Sequence, residues 1–342
     1  MGNAIEKNLI FAAPVSSAPR GQSSFLIWDE QPRSTPGGGV LRPFLWIPSG
    51  EDGALTIIHF HANAEDLLLI EEHLQRLSAD LRANILGVEY PGYGPLQGAT
   101  AAARGLATPT TEGIDAAASH ALQYIVLAQG IPPSQVLLHG RSLGCGPALR
   151  LGRRARDLFR WGICGILLQS PFISVKQLAI DYVGRAGSML VPDCYDNLGE
   201  LQQLCGTSPA ENCPVSRWIP MLFLHGKQDT IVQPYHSEAL HKAARAHGHP
   251  AVEMHLSESA THDCWDLHHD VVSPILEFIR RHPGPKARDP KMMGSDLSCT
   301  NVMCSIDSKR DRERMPQKNC MAPFPSTVSS PRPARQSLIQ GF

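Results

Sequence analysis

Gly140-Arg141-Ser142-Leu143-Gly144 sets one hydroxyl between two glycines, directly after the apolar run Val136-Leu137-Leu138 and ahead of the small residues Cys145, Gly146 and Ala148. A serine hydroxyl is a weak nucleophile at neutral pH. It attacks a carbonyl usefully only when an imidazole takes its proton and a carboxylate holds that imidazole in the right tautomer. The pattern G-x-S-x-G between a strand and a helix is a sharp turn that strains the serine backbone and lifts its Oγ clear of the sheet. Side chains two residues to either side would strike the sheet or the following helix, which explains glycine at both places.

In a strand-turn-helix site of this kind the partners follow in the chain order Ser, acid, His. The acid candidate is Asp229, just beyond the apolar run "MLFLHG", at the carboxyl end of a strand where catalytic groups gather in open α/β sheets. Its competing role is a turn-stabilising aspartate. Among 15 histidines the base is chosen by position: His262 stands in "SESATHDC" after the last strand run, whereas His255 lies within that run and His268 and His269 open the next helix. "HFHANAEDL" (59–67) follows the third strand run, where a loop N–H can stabilise an oxyanion together with the N–H after the nucleophile. Those donors are expected from Asn63 and Leu143; a helix N-cap is the plainer role for Asn63.

The elements that must position these groups are read from hydrophobic pattern. Eight extended runs, 23–28, 41–48, 55–61, 83–90, 136–140, 165–170, 221–226 and 252–256, alternate with helical patterns over about 65–80, 112–129, 145–156, 236–247 and 268–281. The alternation predicts an α/β fold, a mostly parallel eight-stranded sheet flanked by helices. "PRSTPGGG" between the first two runs favours an antiparallel hairpin. Residues 171–219 exceed a short connection and are expected to form a lid-like insertion after strand 6. The domain is bounded at 23–282, with an N-terminal segment 1–22 and a Pro-, Ser-, Lys- and Arg-rich basic tail, 283–342, read as disordered.

Composition narrows the partners. With 31 basic and 32 acidic residues the 342-residue chain has a formal charge of -1, which argues against a general nucleic-acid surface. Nine scattered cysteines without a C-x-x-C pair suggest neither a disulfide framework nor a zinc site, so no metal and no cofactor is expected, and a reducing, cytoplasmic compartment follows. No apolar run approaches the roughly 18 residues of a membrane span. "MGNAIEK" makes Gly2 a candidate for N-myristoylation, although the motif wants Ser or Thr where Glu6 stands; a frayed terminus is the alternative.

In their order along the chain, "HFHANAEDL", "GVEYPGYG", "GIPPSQVLLHGRSLG", "GILLQSPF", "YDNL" and "MLFLHGKQDTIV", closed by His262, resemble the α/β-hydrolase superfamily. Within it they resemble the Bem46-like branch that includes the domain-containing protein 17 group of depalmitoylases, over roughly residues 40–280. The resemblance implies a serine hydrolase that cleaves an ester or thioester through an acyl-enzyme, with a fatty-acyl thioester on S-acylated proteins as substrate. Peripheral membrane contact is expected from the candidate N-terminal lipid at Gly2. Two departures stand out: His61-Ala62-Asn63 replaces the usual H-G-N, and no cysteine precedes Cys145, whereas the group carries lipidated N-terminal cysteines. An apolar groove for an acyl chain is expected to draw on Phe172, Ile173 and Trp265. A carboxylesterase or lysophospholipase-like enzyme acting on small lipid esters, and a non-catalytic scaffold, are the other readings.

Overall fold

Strands buried on both faces read as continuous apolar runs, and three strands of this chain are buried at every position: β3 (Thr56–Phe60), β6 (Gly165–Gln169) and β7 (Met221–Gly226). In the computed structural model, which describes residues 10–14, 23–30, 39–97, 106–158, 162–192, 194–206 and 218–283, they lie inside one eight-stranded sheet. The other strands are β1 (Leu26–Glu30), β2 (Leu41–Ile47), β4 (Asn84–Val88), β5 (Val136–Arg141) and β8 (Val252–Ser257). Their order is β1-β2-β4-β3-β5-β6-β7-β8. β1 and β2 form the expected antiparallel pair, β2 meets β4 antiparallel, and every later pairing is parallel.

Alternation along each strand sorts the core into two layers. Ile58, Leu138, Ile166 and Phe223 face one layer, covered by α2 (Thr111–Gln123), α3 (Cys145–Leu158), α5 (Asn197–Gly206) and α6 (Tyr235–Ala246). Ile57, Leu137, Leu167 and Leu222 face the other, covered by α1 (Glu71–Leu81) and α7 (Ser273–Arg281). Among the described residues no helix is long and apolar enough to cross a membrane.

Two expectations change. The helix read over 65–80 starts only at Glu71, because Asp66 Oδ1 accepts the N–H groups of Leu68 and Leu69 and Glu89 Oε2 accepts that of Leu67, which turns the chain first. The 171–219 insertion is largely helical where described: α4 (Val175–Ser188), broken at Gly184 with φ 71°, precedes α5. Position 193 and residues 207–217 lie outside the described residues, as do 1–9, 15–22 and the tail from 284 onward, so the readings of Gly2 and of a disordered tail fall there.

After β3 the chain passes to β4 on one side of it, and β5 then pairs with β3 on the other. This reversal of strand order opens a crevice at the carboxyl ends of β3 and β5. The register pairs Phe60 with Gly140, so the loop starting at His61 and the turn holding Ser142 leave the sheet side by side.

Candidate active site

The turn at the end of β5 has the geometry its glycines predict. Ser142 sits at φ 52°, a left-handed conformation that costs a non-glycine residue about 1–3 kcal/mol. A Cβ on Gly140 would lie 2.6 Å from Cys145 Cα, and one on Gly144 would lie 2.6 Å from the carbonyl carbon of Phe60. The first glycine therefore clears the oncoming α3, and the second lets that helix start against β3. Position 144 is thus closed to side chains by the neighbouring strand.

Ser142 Oγ lies 3.1 Å from His262 Nε2, and His262 Nδ1 lies 2.8 Å from Asp229 Oδ2. A carboxylate can only accept, so Nδ1 carries the proton and Nε2 is left to accept from the hydroxyl. Asp229 Oδ1 accepts the N–H groups of Ile231 (2.9 Å) and Val232 (2.8 Å). His225 Nε2 stands 2.8 Å from Val232 O and 3.4 Å from Asp229 Oδ2, and its Nδ1 meets Ser237 Oγ at 2.5 Å. Burial alone would raise the Asp229 pKa. The bonds from His225, His262 and Val232 outweigh it and hold the carboxyl well below the usual carboxylate range. An ionised Asp229 beside a buried imidazole can stabilise the imidazolium that forms when Ser142 gives up its proton.

The loop after β3 is fixed from below and from the side. His61, fully buried, has Nδ1 2.8 Å from Ala62 O and Nε2 3.1 Å from Glu89 Oε1. Tyr90 stacks on that imidazole, and its hydroxyl donates to His61 O at 2.8 Å. The Ala62 N–H donates to Glu65 Oε2 at 2.8 Å, and Glu65 Oε1 pairs with the Arg141 guanidinium. Arg141 also donates to His262 O at 3.1 Å and reaches Asp263 Oδ1 at 3.4 Å, while the Trp265 indole donates to the same His262 carbonyl at 3.1 Å. One guanidinium thus ties the nucleophile turn to the loops on both sides of it. Asn63 and Leu143, the expected oxyanion donors, follow β3 and β5, which pair with each other last at Phe60 and Gly140.

The three expected groove residues separate. Phe172 is 2% exposed and packs in the core, its carbonyl accepting from Asn197 Nδ2 at 2.9 Å. Ile173 is half-buried against the same core and donates its N–H to His236 Nδ1 at 3.3 Å. Trp265 lines a cavity of about 440 Å³, beside Arg141, Glu65, Asp263, His73 and Leu69, on the α1 side of the sheet. Sequence reasoning missed Glu65, Glu89 and His225. Glu65 lies four residues after His61, but nothing in that spacing says which cation it will meet. Among the described residues no cluster of three or more metal-ligating side chains gathers.

Comparison with known proteins agrees with this architecture. The profile of the prolyl oligopeptidase family matches residues 118–285. Human alpha/beta hydrolase domain-containing protein 17B is 21% identical over 235 residues, which is 69% of this chain and 69% of that protein. Mouse protein 17C is 22% identical over 224 residues, so that the chain spans 59% of that relative's length. An uncharacterized Salmonella typhimurium protein, YfhR, is 27% identical over 203 residues, 57% of this chain and 61% of its own. Among solved structures, the Pyrococcus furiosus esterase Pf2001 superposes with a TM-score of 0.55 at 18% identity, covering 81% of this chain and 98% of the esterase. An alpha-beta hydrolase from Vibrio vulnificus gives 0.53 at 17% identity, covering 75% and 81%.

The chain therefore has the α/β-hydrolase fold and, as an enzyme, is a serine hydrolase. Within that class it is similar to the alpha/beta hydrolase domain-containing protein 17 hydrolases.

Proposed function

We propose that the protein cleaves a fatty-acyl thioester on S-acylated proteins, with Ser142 as nucleophile, His262 as general base and acid, and Asp229 as the group that orients the imidazole. The observation that carries the chemistry is the continuous relay from the strained Ser142 hydroxyl through His262 to a carboxylate held ionised. Ser142 Oγ attacks the acyl carbonyl as its proton passes to His262 Nε2, and the backbone N–H groups of Asn63 and Leu143 take the charge that develops on the carbonyl oxygen. His262 then protonates the leaving thiolate, and a water activated by the same imidazole releases the fatty acid. The likeness to the protein 17 hydrolases and the candidate acylation site at Gly2 support a lipid-linked substrate met at a membrane surface from the cytoplasm. A single myristoyl chain gives only marginal membrane binding, so a second contact belongs to the reading.

A fluorophosphonate probe should label the wild type and not Ser142→Ala; equal labelling of both would refute the assignment of the nucleophile. A palmitoylated peptide thioester and short oxyesters, given to the same preparation, then separate the substrate classes. Turnover of the oxyesters with indifference to the thioester would make the protein a carboxylesterase acting on small lipid esters.

A further inference from the structure

The side chain of Asn63 does not face the crevice. Its Nδ2 donates to Ile10 O at 2.7 Å, and its Oδ1 accepts from Ala12 N at 3.0 Å and from the Tyr93 hydroxyl at 2.7 Å. The carboxamide thus bonds both the carbonyl of residue 10 and the N–H of residue 12, as a neighbouring strand would. Ile10 and Phe11 are each 6% exposed and belong to the core layer that also holds Tyr90, Tyr93 and Leu143. Gln97 Nε2 closes the far end by donating to Pro14 O at 2.7 Å.

We infer that Asn63 is a positioning residue whose side chain latches residues 10–14 as a strap across the loop that carries its own backbone N–H, so that the N-terminal segment is a working part of the active site. The inference rests on the oxyanion role proposed above for that N–H. Only an amide supplies donor and acceptor together at this spot. An aspartate would keep the bonds from Ala12 and Tyr93 but set a carboxylate oxygen against Ile10 O, leaving that carbonyl without its donor. With the strap seated, the loop is held by Glu65 on one flank and by the 10–14 backbone on the other. With the strap released, the N–H of Asn63 loses its fixed aim at the oxyanion.

The test uses full-length protein and three single variants, Asn63→Asp, Phe11→Ala and Gln97→Ala, assayed on whichever ester or thioester the wild type turns over. The expected result is a fall in kcat of about 10²-fold for Asn63→Asp and about tenfold for Phe11→Ala, with KM changed less than threefold. The acid limb of the pH profile should not move, because the imidazole and its carboxylate are untouched. Hydrogen exchange should show faster exchange across 61–65 and unchanged protection across 257–264. If Asn63→Asp does not fold, Phe11→Ala and Gln97→Ala decide by the same exchange pattern. Wild-type kcat and unaltered exchange at 61–65 in these variants would overturn the strap. Wild type that neither labels at Ser142 nor turns over would instead overturn the functional reading, with the exchange experiment still able to judge the strap.

Discussion

Two groupings of buried histidine stand close together in this sheet and behave in opposite ways. His59 and His139 occupy paired positions of β3 and β5, with Nδ1 atoms 3.2 Å apart, and His139 Nε2 lies 3.3 Å from Gln169 Oε1. Beyond the strand ends, His262 lies 2.8 Å from a carboxylate. Burial, then the charge of His73, pushes His139 down to about 4, against the opposing bond to Gln169. Burial followed by repulsion from His139 holds His59 well below the usual histidine range as well. Imidazoles buried beside another imidazole and an amide stay neutral and serve as a structural hydrogen-bonded pair. An ionised acid at one nitrogen with a hydroxyl at the other lets a buried imidazole act as a base. His61, also paired with a carboxylate, instead meets a carbonyl at its second nitrogen. The His262 site has a carboxylate and a hydroxyl that the strand pair lacks, and the experiments that separate the two follow from that difference.

The largest effect should come from removing the relay's ends. Ser142→Ala or His262→Ala is expected to lower kcat by about 10⁶, whereas His139→Gln should leave the same relay in place; stopped-assay turnover of the folded variants makes the contrast. Removing only the distinguishing charge comes next. Asp229→Asn keeps the shape but offers an amide to His262 Nδ1, and the wrong tautomer should cost about 10⁴ in kcat, which single-turnover acylation measures. Retention of wild-type acylation by that variant would show that the carboxylate is not what divides the two histidine groupings.

A smaller loss is expected from the clamp that keeps His262 where the acid can use it. Arg141→Met removes the donor to His262 O and the partner of Glu65, and a displacement of about 1 Å at the relay corresponds to roughly 10²-fold in kcat with the Ser142 hydroxyl still present. Arg141→Lys should recover only part of it, since an ammonium cannot span both loops in one plane.

The smallest effect is on stability, and its sign follows from the neutral pair. The folded pKa values of His59 and His139 lie below the unfolded value near 6.5, so the unfolded chain binds those protons first. Their contribution is complete above about pH 6.5 and is lost as pH falls toward about 4, with a slope of about 1.4 kcal/mol per pH unit for each proton taken up. Urea unfolding across that window should show a shallower pH dependence when both are replaced by glutamine. An unchanged slope would mean that the pair is not the source of the acid sensitivity.

Much of this was legible in the chain because its signals are local. The eight strand runs, the antiparallel opening hairpin and the helices before and after β5 follow from periodicity and turn residues that act over a few positions. Ser142, Asp229 and His262 could be picked out because each follows a recognisable strand run, and the structure joins them by hydrogen bonds. The helices of the insertion were not legible: Gly184, Gly187 and Pro192 mask the helical pattern of 175–188, where the chain breaks at a positive φ and resumes. Phe172 looked like a groove residue because an apolar side chain near a site has the same sequence signature whether it lines a cavity or fills the core.

The sequence by itself signalled the tight turn at Ser142, where the close approaches at 140 and 144 leave room for glycine and no larger residue, and it determined which strand each functional group follows. The tertiary structure alone decided how those groups are held. Glu65 meets Arg141 across 76 residues and Asn63 meets Ile10 across 53, contacts that no local pattern can encode. They exist because the reversal of strand order beside β3 brings distant loops to one crevice, where buried polar groups must find partners or forfeit their hydration.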